Sequence, residues 1–152
     1  MENELKLDLT QHYLCGIPGI DVQHKEMFQE LDGFINALKD EHLPNDIVQA
    51  TLQGLFEKLR SHIFTEEGLM DMVCFPRAAD HKAQHRNFLN LLTEEMKILR
   101  ETDNQTISRF MRSYRNIGIT HISIFDREYV DHITVLMAKK KRYSIISLKE
   151  AG

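Results

Sequence analysis

Residues 46–73 read DIVQATLQGLFEKLRSHIFTEEGLMDMV, and their periodicity indicates the architecture of the whole chain. Apolar side chains recur in this stretch at spacings of three and four residues, which is the repeat of one face of an α-helix. They are Leu52, Leu55, Phe56, Leu59, Ile63 and Met70. The pair Phe75-Pro76 should end the helix, because the residue before a proline is driven away from helical geometry. The stretch therefore predicts one long amphipathic helix with a single buried face.

Three further stretches have the same periodicity and bring the number of predicted helices to four. They cover residues 21–42, with Asp21 as the N-cap, residues 77–100, and a stretch from about residue 103 to residue 132. The connections between the helices are short, and short connections favour antiparallel neighbours. We therefore predict an all-α fold, an antiparallel up-down-up-down four-helix bundle with an irregular N-terminal arm and a short C-terminal extension.

We expect residues 1–135 to form the bundle domain and residues 136–152 to form a basic C-terminal tail or an extra helix. The chain of 152 residues has the length of one domain, and its 42% of hydrophobic residues are sufficient for a core. The basic run at positions 139–142 is typical of a solvated helix end, with a contact to a partner as the alternative. The sequence leaves the oligomeric state open.

Composition excludes several classes of function. The net charge of -4 argues against a nucleic-acid-binding protein, which would carry a basic excess. No apolar run approaches the roughly 20 residues that a membrane-spanning helix needs, so we expect no membrane insertion. The two cysteines, Cys15 and Cys74, cannot form a disulfide framework. Because no signal peptide is recognisable, we expect a cytoplasmic, reduced protein.

Seven potential metal ligands fall on or near the predicted inward faces of the helices. They are His24, His62, Glu66, His81, His85, His121 and Asp126. The set combines imidazole nitrogens with carboxylate oxygens and contains no thiolate, which is typical of a site for more than one ion and not of a structural zinc site. Buried imidazoles and carboxylates are costly without a partner, and a metal ion supplies one. In an up-down-up-down bundle, all seven residues would meet at one end of the core.

The spacing of these residues supports a common site, with one exception. Two pairs are four residues apart, so that the members of each pair lie one above the other on a helix. These pairs are His62 with Glu66 and His81 with His85. His121 and Asp126 are five apart, which is about 140° around an ideal helix. They can reach one site if Asp126 extends from the edge, or if the helix is locally distorted near Gly118.

Seven ligands exceed the number that one ion usually takes, so we expect two ions. Glu66 and Asp126 are natural bridges between them, because each carboxylate has two oxygens. Five imidazoles divide between two ions as three and two. The ion with only two imidazoles would then have an open coordination position for a small ligand.

From about residue 14 to residue 132, the chain resembles the haemerythrins, and among them the bacterial haemerythrin-like domains. The motifs that carry the resemblance are GIPGIDVQH at 16–24, HIFTEEGLM at 62–70, FPRAADHKAQHRNFL at 75–89 and HISIFDREY at 121–129. Every position of the family's seven-ligand pattern is filled. Such domains often carry a tryptophan near the N-terminus, and this chain has none.

The resemblance implies a centre of two non-haem iron ions (Fe2+/Fe3+) with a bridging oxo or hydroxo group. Its ligands would fall into three groups, namely His81, His85 and His121 on one iron, His24 and His62 on the second, and Glu66 and Asp126 as bridges. The second iron would keep the open position. The apolar residues that would line the pocket for a small ligand are Phe28, Ile63, Met70 and Ile122.

The function that the resemblance implies is reversible O2 binding for oxygen carriage, storage or sensing, without enzymatic activity. The imidazole-rich set also favours reversible binding, because ferritin-like di-iron sites use mostly carboxylates. A di-iron enzyme that handles peroxide or nitric oxide, an iron-storage protein, and zinc binding at the same residues are the alternatives. O2 is the expected ligand, and a signalling or oxygen-using protein is a possible macromolecular partner.

Overall fold

The computed structural model of the protein describes residues 13–150, with side chains as far as residue 142. Five α-helices account for most of this part of the chain, and no β-strand occurs in it. They are α1 (Pro18–Ala37), α2 (Asn45–Met72), α3 (Ala78–Leu99), α4 (Asn104–His121) and α5 (Arg127–Glu150). A π-helical segment, Ile122–Asp126, joins α4 to α5 without a break. The continuous α4–π–α5 rod acts as the fourth helix of a four-helix bundle, so the predicted all-α fold is confirmed.

Two of the turns between helices have a clear local cause in the sequence. Asp103 caps α4 by accepting a hydrogen bond from the backbone N–H of Thr106, at 2.8 Å, as expected for a helix that begins near residue 103. At the end of α2, the N–H of Phe75 donates to the carbonyl of Met70, at 2.9 Å, and Cys74 adopts a left-handed conformation with φ of 49°. This pattern is a Schellman motif, and it ends α2 before Pro76 is reached.

The prediction that Asp21 caps the first helix is wrong. The helix begins at Pro18, whose fixed φ suits the first helical position. The carboxylate of Asp21 instead accepts backbone hydrogen bonds from Cys15, at 2.6 Å, and Gly16, at 3.3 Å. Gly16 has φ of 107°, a conformation that strongly favours glycine. Asp21 therefore fastens the N-terminal arm onto the bundle.

The last helix does not end near residue 132, as the sequence analysis predicted. It continues to Glu150, so the segment beyond residue 135 prolongs the fourth helix. Residues 139–142 are exposed, consistent with a solvated stretch of this helix. Over the described part of the chain, no helix combines the length and the apolar character needed to cross a membrane.

The buried side chains form two apolar clusters at opposite ends of the bundle. One cluster contains Phe34, Val48, Leu99 and Ile107, beside the α1–α2 and α3–α4 turns. The other joins the N-terminal arm to the α2–α3 turn, and we call this the ligand end. Its members are Tyr13, Cys15, Ile20, Phe28, Met70, Phe75, Ile122, Tyr129 and Val130. The predicted metal ligands lie at the ligand end.

Candidate metal centre

Three imidazoles converge at the ligand end and form one half of the site. The Nε2 atoms of His81, His85 and His121 lie 3.1 Å from one another in all three pairs. His81 and His85 project from successive turns of α3, and His121 is the last residue of α4. Their Nε2 atoms form a compact triangle of donors that suits one metal ion. We call these residues the three-histidine cluster.

Two further imidazoles form the other half of the site. The Nε2 atoms of His24, on α1, and His62, on α2, are 3.1 Å apart, and both side chains are buried. We call them the two-histidine cluster. The predicted division of the five histidines into three and two therefore appears in the structure as two separate groups of nitrogens.

The two carboxylates lie between these clusters. Oδ1 of Asp126 is 3.2 Å from Nε2 of both His81 and His121, and its Oδ2 is 3.5 Å from Nε2 of His24. One carboxylate thus faces both clusters, which is the arrangement a bridge requires.

Glu66 also faces both clusters. Its Oε2 lies 3.4 Å from Nε2 of His85 and 3.5 Å from Nε2 of His62. The donor atoms of the site form two overlapping groups, each within 4.8 Å, and Glu66 belongs to both. The structure therefore brings all seven predicted ligands together at one place.

The π-helical segment explains how His121 and Asp126 share a site although they are five residues apart. In a π-helix the backbone hydrogen bonds join residues i and i+5, so residues at this spacing lie on one face. Ile122–Asp126 has this geometry, and the two side chains meet at 3.2 Å. Of the two possibilities left open by the spacing, local distortion of the helix is the one found.

Contacts at the outer nitrogens of three imidazoles fix their tautomers. Nδ1 of His24 donates to the carbonyl of Tyr13, at 3.0 Å, and Nδ1 of His62 donates to Oε1 of Gln23, at 2.9 Å. A third contact has Nδ1 of His85 donating to a carboxylate oxygen of Glu67, at 3.1 Å. With the proton on Nδ1, each Nε2 presents a lone pair to the centre of the site, as metal-binding histidines do.

The sequence analysis missed these outer partners and also missed Tyr129. The phenol of Tyr129 is fully buried and donates to Oε1 of Glu66, at 2.7 Å. Gln23 and Glu67 are each adjacent to a ligand in the sequence, and this position could have identified them as residues near the site. Tyr129 gives no such signal, because the π-helical segment shifts its phase relative to His121.

Burial alone makes this group of side chains unfavourable. It lowers the pKa of His62 to about 3, with a smaller contribution from the His24 imidazole. Burial, followed by the charge of Asp126, raises the pKa of Glu66 to about 8. Oε2 of Glu66 and both carboxylate oxygens of Asp126 are buried without a hydrogen-bond partner. Unpaired lone pairs of this kind are stabilised by a cation, so the residues fit a metal centre.

A cleft of about 470 Å³ leads from the protein surface to both clusters. Its exposed rim lies on α3 and α4, at Gln84 and Asn87 on one side and Asn116 and Thr120 on the other. Its inner wall is largely apolar. Three of the four predicted lining residues, Phe28, Ile63 and Ile122, lie there, whereas Met70 is packed in the core and does not line it. The cleft gives a small ligand a route to the site.

A second, smaller cavity of about 100 Å³ extends from the same region along the bundle axis. It shares Met27, Phe28, Leu59, Phe88 and Gly118 with the cleft, and its walls are almost entirely apolar. The site therefore adjoins space that suits an apolar molecule better than a charged one.

Comparison with known proteins agrees with this geometry. Residues 15–133 match the family model "Hemerythrin HHE cation binding domain". Among solved structures, the chain is similar to the crystal structure of a hemerythrin mutant. The two are 22% identical, with a TM-score of 0.65, and the match covers 76% of this chain and 87% of that one. This likeness concerns the fold. A search of curated proteins found no match.

Proposed function

Because the chain belongs to the haemerythrin family of HHE cation-binding domains, we propose that it binds O2 reversibly at two non-haem iron ions. The family and the clustered donors support a metal-binding helical bundle. The assignment of two irons with a bridging oxo or hydroxo group, and of O2 as the ligand, is our proposal. When bound, the iron ions would donate electrons to O2, and this donation would hold O2 at the site.

The observation that carries the proposal is the unequal division of the histidines beside an apolar cleft. The three-histidine cluster offers one more nitrogen than the two-histidine cluster, while both face the same carboxylates. His24 and His62 also line the cleft, together with Phe28, Ile63 and Ile122. The metal position with fewer protein ligands thus faces an apolar wall that suits O2, in a cleft that also reaches His85 and His121.

The residues around the cleft support ligand binding without enzymatic turnover. Its titratable lining residues, among those the structure describes, are all predicted metal ligands: His24, His62, Glu66, His85 and His121. No lining side chain then remains to act as a general acid or base. The inner wall of the cleft is largely apolar, and the Nδ1 contacts hold the rings of His24, His62 and His85 in place. Carriage, storage and sensing of oxygen are all compatible with such a site.

We also propose that the protein works in the reducing environment of the cytoplasm. Both cysteines are free, with Cys15 buried and Cys74 exposed. Free thiols are typical of proteins from reducing compartments, where disulfides are rare.

The test is an anaerobic reconstitution followed by exposure to air. The protein is loaded with Fe2+, its iron content is measured, and visible spectra are recorded before and after O2 is admitted. We expect two irons per chain and a charge-transfer band that appears with O2 and disappears when O2 is removed. Zinc-loaded protein, which should stay colourless, is the control.

Three outcomes would overturn the proposal. An irreversible band would show oxidation without O2 binding. Sustained turnover of peroxide or nitric oxide would identify a di-iron enzyme. Uptake of many more than two irons per chain would identify a storage protein.

A further inference from the structure

The outer nitrogens of His24, His62 and His85 have partners of different charge. In the two-histidine cluster, His24 donates to the backbone carbonyl of Tyr13 and His62 donates to the amide of Gln23. Both acceptors are neutral. In the three-histidine cluster, His85 donates to Glu67, whose carboxylate is anionic.

Helix geometry explains how Gln23 and Glu67 reach these histidines. Each directly adjoins a ligand in the sequence, so it points about 100° away from that ligand around its own helix. Gln23, beside His24 on α1, reaches across to His62 on α2. Glu67, beside Glu66 on α2, reaches across to His85 on α3. The two residues therefore occupy equivalent places in the bundle, and they differ in charge.

An anionic acceptor on one side of an imidazole makes the other nitrogen a better donor. A histidine whose N–H bonds to a carboxylate is more basic towards a metal than one bonded to a neutral group. The His85 ring is buried, and the Glu67 side chain is only 29% exposed, so water screens their interaction incompletely. The negative charge of Glu67 should therefore make Nε2 of His85 a stronger donor to the metal.

We propose that Glu67 is a positioning residue that makes the three-histidine position the tighter metal site and the one that favours the ferric state. The part of this inference that concerns iron oxidation rests on the proposed di-iron function. A ferric ion carries one more positive charge than a ferrous ion, so extra negative charge beyond His85 stabilises it selectively. Gln23 is neutral and provides no such stabilisation. The two-histidine position should therefore bind metal less tightly and favour the ferrous state.

The test compares Glu67→Gln with the reciprocal change Gln23→Glu. Each variant keeps the length of the side chain and an oxygen that can accept the histidine N–H, and changes only the charge. Titration with Zn2+, which has no redox chemistry, measures metal affinity. Potentiometry of the iron-loaded protein measures the midpoint potential, and circular dichroism checks the helical content.

We expect Glu67→Gln to weaken the tighter Zn2+ binding step by about 10- to 100-fold, the usual effect of removing an outer partner. The midpoint potential should rise, by about 59 mV for each tenfold change in the ferric-to-ferrous ratio. Gln23→Glu should act in the opposite direction, by strengthening the weaker Zn2+ step and lowering the midpoint potential.

Unchanged Zn2+ affinity and potential in Glu67→Gln, with normal helical content, would overturn the inference. Changes of the same sign in both variants would also overturn it, because they would indicate general damage to the site. Failure of the proposed function looks different. The wild-type protein would then lack reversible O2 binding, while the Zn2+ titrations would still measure the effect of Glu67.

Discussion

The phenol of Tyr129 donates a hydrogen bond to Oε1 of Glu66 across 2.7 Å, and both side chains are fully buried. This bond joins the helix that follows the π-helical segment to the C-terminal part of α2. It engages one carboxylate oxygen of Glu66 and leaves the other, Oε2, facing His62 and His85. Tyr129 therefore sets the orientation in which Glu66 meets the two histidine clusters.

Replacing Tyr129 by phenylalanine should destabilise the metal-free protein. The ring would still fill its place in the core, but Oε1 of Glu66 would be left buried without a donor, which costs about 1–3 kcal/mol. Urea unfolding of metal-free protein measures the loss. Tyr114→Phe is the matched control, because the Tyr114 hydroxyl is buried with no partner, so its removal should cost nothing. Equal stabilities of the two variants would show that the bond to Glu66 contributes nothing.

Replacing His62 by alanine should remove the weaker metal position and spare the stronger one. The two-histidine cluster would keep only His24, while the three-histidine cluster would be intact. We expect the iron content to fall from two towards one per chain, with loss of O2 binding. His42→Ala serves as the control, since His42 is exposed and lies outside the site. A His62→Ala protein with two irons and reversible O2 binding would refute the assignment of this ligand.

The metal-free protein should be most stable near pH 6.5, because below that pH the contributions of three buried histidines outweigh the opposite contribution of Glu66, and above it the contribution of Glu66 remains. The pKa of His62 is lowered from 6.5 to about 3, and burial also lowers the pKa values of His24 and His85, so the unfolded chain binds more protons and stability falls as the pH drops below about 6.5. The pKa of Glu66 is raised from 4.5 to about 8, so the folded chain binds more protons and stability falls as the pH rises from 4.5 towards 8.

Urea midpoints measured from pH 4 to pH 9 would reveal this maximum. Glu66→Gln should remove most of the loss above about pH 6.5 and keep the loss on the acid side. Bound metal should move the maximum to higher pH, because metals bind deprotonated ligands. A metal-free wild-type protein that gains stability steadily from pH 6 to pH 8 would contradict the prediction.

Two glycine substitutions in helices should differ because of one neighbouring ring. Gly54→Ala on α2 meets nothing within 4 Å, and the better helix propensity of alanine should raise the free energy of unfolding by about 1 kcal/mol. At Gly118 on α4, the new Cβ would lie 3.1 Å from Phe28, whose ring is stacked on Tyr13 with centroids 4.2 Å apart. Gly118→Ala should therefore show no gain in urea unfolding. An equal gain in the free energy of unfolding in both variants would mean that the Phe28 ring can move away from the new Cβ without cost.

The sequence predicted the fold and the set of ligands because both depend on helical period. The apolar stripe of α2 and the four-residue spacings of the ligand pairs indicated which residues face the core. Topology then placed His24 and His121 near the same end. These inferences required no knowledge of side-chain contacts, and the structure brings all seven residues together.

Features that depend on a single contact or on helix length were harder to predict. The capping prediction for Asp21 failed because Pro18 can begin a helix without a side-chain cap. The predicted end near residue 132 failed because the sequence from 119 to 150 contains no proline or glycine to stop the helix. The bond from Tyr129 to Glu66 depends on the phase shift in the π-helical segment, which a regular α-helical repeat does not include.

The five residues Ile122–Asp126 also determine how the gene can change in length at this point. Deletion of one codon there would restore a regular α-helix, which is ordinarily the more favourable backbone. The same deletion would leave His121 and Asp126 four residues apart, so both side chains would still lie on one face of the helix, and Tyr129 would keep its phase relative to Asp126. The gene could therefore lose one codon within this segment and keep both ligands on one face, whereas loss of one codon from a regular α-helical stretch between two ligands would turn the second ligand by about 100°.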